Sequence, residues 1–256
     1  MNLPPKQDRR RLWGLRAGYL SLLLATTPVL LWNSFVAQFN ASFGDILLRL
    51  RPPGRTGGVD SIVLVAIDDR TAARHGPLPL KRSLLAAGLD KIAEAAPRVL
   101  AIDLLISEPG PPDDDKRLAA ALKRFPRVVL SAALAGDSPA NPSWILPLAG
   151  LEDRAVTAHV HAAPDPDGNV RGVLLAKQTQ DRRLWALALE ACRLFLSAGV
   201  PVERADSIGL DGIRIPARFR EDRRLRIHYA GPEGAFRRVA FSALLDGTAN
   251  PAELRD

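Results

Sequence analysis

The chain holds one cysteine, Cys192, in 256 residues, so no internal disulfide can form. It has no Cys-x-x-Cys and no cysteine–histidine cluster, which removes a structural zinc site from consideration. Gly-x-Ser-x-Gly, Gly-x-Gly-x-x-Gly and P-loop patterns are missing as well. The chain therefore offers neither a nucleophile elbow nor a glycine-rich phosphate cradle. No long internal repeat and no low-complexity tract is present. What remains has ordinary globular proportions, 47% apolar and 25% charged, at a length that suits one large domain or two small ones.

The net charge is +7, which raises nucleic acid as a partner. Its distribution argues against that. Residues 1–16 carry Lys6, Arg9, Arg10, Arg11 and Arg16 against Asp8, a net of +4, and the other 240 residues supply only +3. A short basic tag is not a groove-lining patch, so no nucleic acid partner is expected. Behind the tag, Ala17 to Phe39 has no charged residue for 23 positions. As a helix this segment reaches roughly 35 Å at 1.5 Å per residue, enough for a bilayer core. Trp13, Tyr19 and Trp32 suit interfacial depths, and Pro28 is tolerable in a membrane helix. A buried core helix, a cleavable signal peptide and a twin-arginine signal are the competing readings. The long uncharged run, the poor cleavage site in "FVAQFNA" and the poor lead-in to "RRRLW" favour an uncleaved anchor. Arginines before the span predict a cytoplasmic N-terminus in a bacterial inner membrane, with the rest periplasmic or extracellular. The expected organisation is a basic tail over 1–16, a transmembrane helix over 17–39, a linker over 40–60 and an extracytoplasmic domain over 61–256.

From Ser61 the pattern alternates. Ser61–Ile67 reads as a buried strand. Leu85, Leu89, Ile92 and Ala96 form a helical stripe that Pro97 stops. Val99–Leu105 is a second strand, Leu118, Leu122 and Phe125 mark another helix, and Val128–Leu134 is a third strand. This is β-α-β-α-β with connections long enough for parallel crossovers. Both early strands carry Ala-Ile-Asp, ending at Asp68 and Asp103. In one parallel sheet these carboxylates emerge along the same edge, where ligands of open α/β sheets sit. In the second half, Val156–His161 and Val170–Ala176 flank "PDPDGN", a hairpin signal. A helix over about Asp181–Ser197, strands near Ile213–Ile215 and Leu225–Tyr229, and a small helix near Phe241–Leu245 follow. The expected fold class is α/β: an N-terminal transmembrane helix, then a mainly parallel sheet flanked by helices, with an antiparallel hairpin in the second half.

Several chemistries compete for these residues. A response-regulator receiver needs a whole strand and helix between its acidic sites, and only one helix fits between Asp69 and Val99. A haloacid-dehalogenase-type phosphatase needs Asp-x-Asp, whereas Asp68-Asp69 are adjacent. A divalent metal on Asp68, Asp69 and Asp103 stands against Asp68 capping its loop and Asp103 pairing with Arg82 or another cation, and the second reading is preferred. His159 and His161, with Asp165 or Asp167, could hold a metal, but an ordinary solvated hairpin face fits better. Cys192 reads as core.

One resemblance gathers these pieces. The strand ending in Asp-Asp, "GPLPLKR" (Gly76–Arg82), the helix and "VLAIDLLISEP" resemble the type-two CHASE domain, the cyclase/histidine-kinase-associated sensory extracellular domain. "HAAPDPDGNVRGVLL" (His161–Leu175) resembles that family's Asp-x-Asp-Gly-x-x-Arg stretch, and "IPARF" and "RIHYAGPEGAFRRVAFSALLDG" its closing section. The likeness runs from about Phe43 to the end. Leu78-Pro79-Leu80 stands where the family usually has Trp-Pro-Trp, so both rings are replaced by leucines, with Arg82 kept. The family normally continues into a further strand, membrane helices and an output domain, so the sequence reads as truncated. The resemblance implies a sensory module and no catalysis within this chain. Its partners would be the membrane and an unknown extracytoplasmic signal, with a homodimer admitted and no cofactor. Asp68, Asp69, Arg82, Asp103, Asp167 and Arg171 are the ligand-site candidates. The alternatives are an extracytoplasmic metal-dependent hydrolase on the Asp68/Asp103 edge and a structural dimerisation module.

Overall fold

The computed structural model describes residues 58–135, 142–152, 155–162, 164–219 and 223–254, with scattered helical positions between 16 and 50. The chain divides into two units, Met1–Gly54 and Arg55–Asp256. In the first unit, residues 42–48 are helical. Residues 1–15 of the basic tail, most of the expected membrane span 17–39 and residues 51–57 of the linker lie outside the described residues. Among the described residues no helix is long and apolar enough to cross a membrane, so the transmembrane helix expected in the fold class is not part of the architecture found.

The second unit opens with strand β1 (Val63–Ala66) and helix α1 (Asp69–His75). Asp68 caps α1 through a capping box. The Thr71 N–H donates to Asp68 Oδ1 at 3.1 Å, and the Asp68 N–H donates back to the Thr71 hydroxyl at 3.4 Å. Helix α2 (Arg82–Ala93) buries Ala86, Gly88, Leu89 and Ile92 along one stripe. It ends at Ala93, and Ala96, with a left-handed φ of 52°, leads the chain into Pro97. Helix α3 (Pro112–Leu122) begins with proline followed by Asp113, Asp114 and Asp115, which suits the positive end of its dipole.

Strand β3 (Val128–Ala135) is the centre of the first core and is buried from Val128 through Ala132. Strands β2 (Leu100–Ile102) and β5 (Ala155–His159) run parallel to it, and β4 (Ser143–Ile145) pairs antiparallel with its far end. Leu118, Leu122 and Phe125 join Leu89, Ile102, Leu130, Val239 and Phe241 in that core. The second core gathers Leu175, Leu189, Ile208 and Leu210 from short elements. These are β6 (Gly172–Leu174), β7 (Ala176–Gln178), β8 (Arg183–Trp185), helix α4 (Leu187–Leu196), β9 (Val202–Glu203), β10 (Ser207–Leu210), β11 (Ile213–Pro216) and β12 (Arg224–Arg226). Strand β13 (Arg237–Ala240), helix α5 (Phe241–Leu245) and a 3-10 turn (Pro251–Leu254) close the unit.

The expected mainly parallel sheet flanked by helices is not what forms. Among the described residues, three strand pairings are parallel and five antiparallel, spread over five small sheets. β1 pairs not with β2 but with β13 from the far end of the chain, Val65 opposite Val239. An apolar run marks a strand without naming its neighbour, and β1 is less buried than its sequence suggests, with Leu64 48% exposed. The expected hairpin around "PDPDGN" is also replaced. The turn exists, with the Gly168 N–H donating to Asp165 O at 2.8 Å, but β5 goes to β3 while β6 goes to β12. The expected helix over Asp181–Ser197 starts only at Leu187, because Arg183–Trp185 pairs with β7.

Candidate functional site

The six residues singled out from sequence fall into three places. Asp68 is used locally: its carboxylate accepts from the Thr71 N–H and from the Thr71 hydroxyl at 3.0 Å. Those bonds hold it below the usual carboxylate range. Asp69 is exposed on the first turn of α1, and Asp103 is exposed one residue past β2, next to the exposed Leu104 and Leu105. Because β1 and β2 belong to different sheets, Asp68 and Asp103 do not share an edge. Arg82 pairs with Asp115 rather than Asp103 and also donates to the carbonyl of Glu108. Asp115 accepts in addition from the Gly110 N–H at 2.9 Å. Partial burial opposes its ionisation, but the bonds from Arg82 and Gly110 outweigh that and keep its carboxyl acidic. Arg82 thereby fastens the start of α2 to the loop leading into α3.

Asp167 and Arg171 come together. Arg171 donates to Asp165 at 2.9 Å and to both oxygens of Asp167 at 2.8 and 2.6 Å, and its side chain is 12% exposed. Asn169 adds two donations to Asp167, from its N–H at 3.2 Å and its amide at 3.0 Å. The Arg171 and Asn169 bonds hold Asp167 far below its ordinary value, and the Arg171 and Arg224 bonds lower Asp165. Gly168, at φ 82°, supplies the left-handed position of this turn. The Asp-x-Asp-Gly-x-x-Arg stretch is therefore a self-fastened loop.

Sequence reasoning missed what that loop holds. Arg224 on β12 donates to Asp165 at 2.5 Å. Its side chain crosses the backbone of Gly172, where a Cβ would sit 2.3 Å from Arg224 Nε. Arg224 also lines a cavity of about 410 Å³ with Asp206, Arg214, Pro216, Ala217 and Arg218. Alternation along β11 puts Arg214 and Pro216 on the same face, both toward this cavity. Arg214 pairs with Asp206, whose carboxyl is lowered first by the Ser207 hydroxyl. Behind the wall, buried Arg223 donates to the carbonyl of Ala217 at 2.9 Å and pairs with Glu203 at 3.0 Å. The available signal was the run "RIPARFREDRRLR", Arg214–Arg226, where arginines outnumber acids. A second cavity of about 410 Å³ is mostly aliphatic, walled by Leu122, Val128, Leu151 and Ala155, with Lys123 its charged member.

His159 and His161 do not form a metal pair. His159 is 1% exposed, its ring stacks on Trp144 with centroids 5.9 Å apart, and its Nδ1 accepts from the His161 N–H at 3.2 Å. Burial, aided by His161 and Lys177, pushes it down to about 4, so it is neutral at pH 7. Asp165 and Asp167 turn instead to arginines. Among the described residues no group of three His, Cys, Asp or Glu side chains is placed to hold a metal ion. Cys192 is exposed rather than core.

Comparison with curated proteins and with solved structures returns no match. A family model, the CHASE2 domain, matches residues 21–256. With nearly the whole length matched, the chain belongs to the CHASE2 domain family, whose members are extracellular sensory domains of signal-transduction receptors.

Proposed function

We propose that this CHASE2 domain is the ligand-responsive input of a bacterial signal-transduction receptor, working on the extracytoplasmic side and serving a catalytic output such as a cyclase or kinase. The observation that carries the reading is the arginine-lined cavity at Arg224. Its walls come from two separate small sheets, β9–β10–β11 and β6–β12. A ligand seated there touches both, so it can favour one mutual arrangement over another, which is all that a signal-input domain requires. The family membership supports a sensory rather than catalytic role. The hydrolase alternative draws nothing from the placement of Asp68 in a helix cap and Asp103 on another sheet.

The test is a chimera of the full chain with a reporter cyclase or kinase output. Arg224→Gln and Arg214→Gln are expected to shift basal or induced output by about fivefold or more. Arg124→Gln, on a distant exposed pair with Asp90, serves as control. Output identical in all three variants would sink the reading.

A further inference from the structure

We infer that the cavity between β11 and β12 is an oxyanion site, shaped for a small soluble anion with two or more negative charges on carboxylate or phosphate groups. The inference deepens the sensory reading by naming its ligand class; it rests on that reading for its meaning as a signal but not for its chemistry. Among the described residues the lining brings three guanidinium groups, Arg214, Arg218 and Arg224, to the cavity with one carboxylate, Asp206. Guanidinium is planar and presents paired N–H donors that match the two oxygens of a carboxylate or phosphate edge. Three such groups around about 410 Å³ leave room for an anion bridging at least two of them.

The arginines at this wall are of two kinds. Arg223 is 5% exposed, bonded to three backbone carbonyls, and holds the wall in place. Arg171 is likewise fixed by its two acids. Arg214, by contrast, sits in an open ion pair, 63% exposed against Asp206 at 55%, while Arg224 is 40% exposed and its partner Asp165 20%. An open pair such as Arg214–Asp206 contributes little and is screened by water. An incoming anion can therefore replace Asp206 on Arg214 at small cost while gaining a second guanidinium. Asp206 then acts as the resident competitor, and the Asp165–Arg171–Asp167 loop acts as the clamp that aims Arg224.

Gly172 gives this arrangement a specific handle. A methyl group at residue 172 would stand 2.3 Å from Arg224 Nε and 2.9 Å from its Cγ. The Gly172→Ala change therefore moves Arg224 off its track without altering any charge.

The experiment is calorimetric titration of the full 256-residue chain at low salt with inorganic phosphate and, separately, citrate. Sodium chloride at matched ionic strength is the control. Saturable binding of phosphate, citrate or both is expected, and the arm that binds tells which oxyanion class the site takes. The double variant Arg214→Gln/Arg218→Gln weakens it on the order of tenfold or more, whereas Arg124→Gln does not. Gly172→Ala weakens it with net charge unchanged, and Asp206→Ala tightens it by removing the competitor. If the double variant fails to fold, the tightening by Asp206→Ala decides. No saturable binding of either anion, or equal losses with Arg124→Gln, overturns the proposal. Binding without response in the chimera leaves the site standing and sinks the signalling reading; a responding chimera that binds neither anion does the reverse.

Discussion

Thr71 is fully buried, and its hydroxyl serves three groups at once. It donates to Asp68 and accepts from the backbone N–H of Asp68 and of Ser242, the latter at 3.3 Å. Thr71→Val keeps the shape but strands those partners, so a loss of about 1–3 kcal/mol is expected in urea unfolding. A change under half a kilocalorie would contradict the role. Gly88 is a second such point. A Cβ there would meet the Phe241 ring at 2.1 Å, deep in the first core, so Gly88→Val is expected to cost about 3 kcal/mol or more. His159 sets a pH dependence. Its folded value of about 4 lies below the ordinary 6.5, so the unfolded chain takes up the extra proton and acid favours unfolding. Its contribution is fully present above about 6.5 and falls toward pH 4, at up to about 1.4 kcal/mol per pH unit. Urea midpoints between pH 7 and 4.5 check this, and His159→Gln should flatten the slope. The lowered carboxylates Asp68, Asp165 and Asp167 act in a separate window: their share is complete above 3.8 and is lost only in stronger acid. Of the single residues, the turn at Asp167-Gly168 was legible because an Asp-Gly pair has local meaning, whereas the bonding of Arg171 to both Asp165 and Asp167 was not. Nor was Arg224, since its role depends on a partner 59 positions away.

At the scale of elements, helices were more legible than sheets. The stripe of α2, the acids opening α3 and the extent of α5 follow from spacing within a few residues. Strand pairing depends on partners that local pattern does not name. "SIVLVAIDD" and "RVLAIDLL" read as neighbours, yet the first waits for β13 and the second lies beside β3. Burial separates two substitutions of the same residue type. Leu118, 0% exposed between α3 and the core, should cost about 2–5 kcal/mol on change to alanine. Leu64, 48% exposed on β1, should cost well under 1 kcal/mol on change to threonine, which keeps strand preference. Equal losses at the two positions would mean that β1 is covered more fully than its exposure implies.

At the scale of the whole molecule, the arginine cavity matters only if it faces the compartment from which a signal arrives. Family membership places this class of domain outside the cell. The most direct test is therefore compartment. Alkaline phosphatase, active only after export, is fused after Asp256, and a reporter active only in the cytoplasm is fused at the same point in a parallel strain. The account predicts phosphatase activity with a silent cytoplasmic reporter. Activity of the cytoplasmic reporter alone would contradict it.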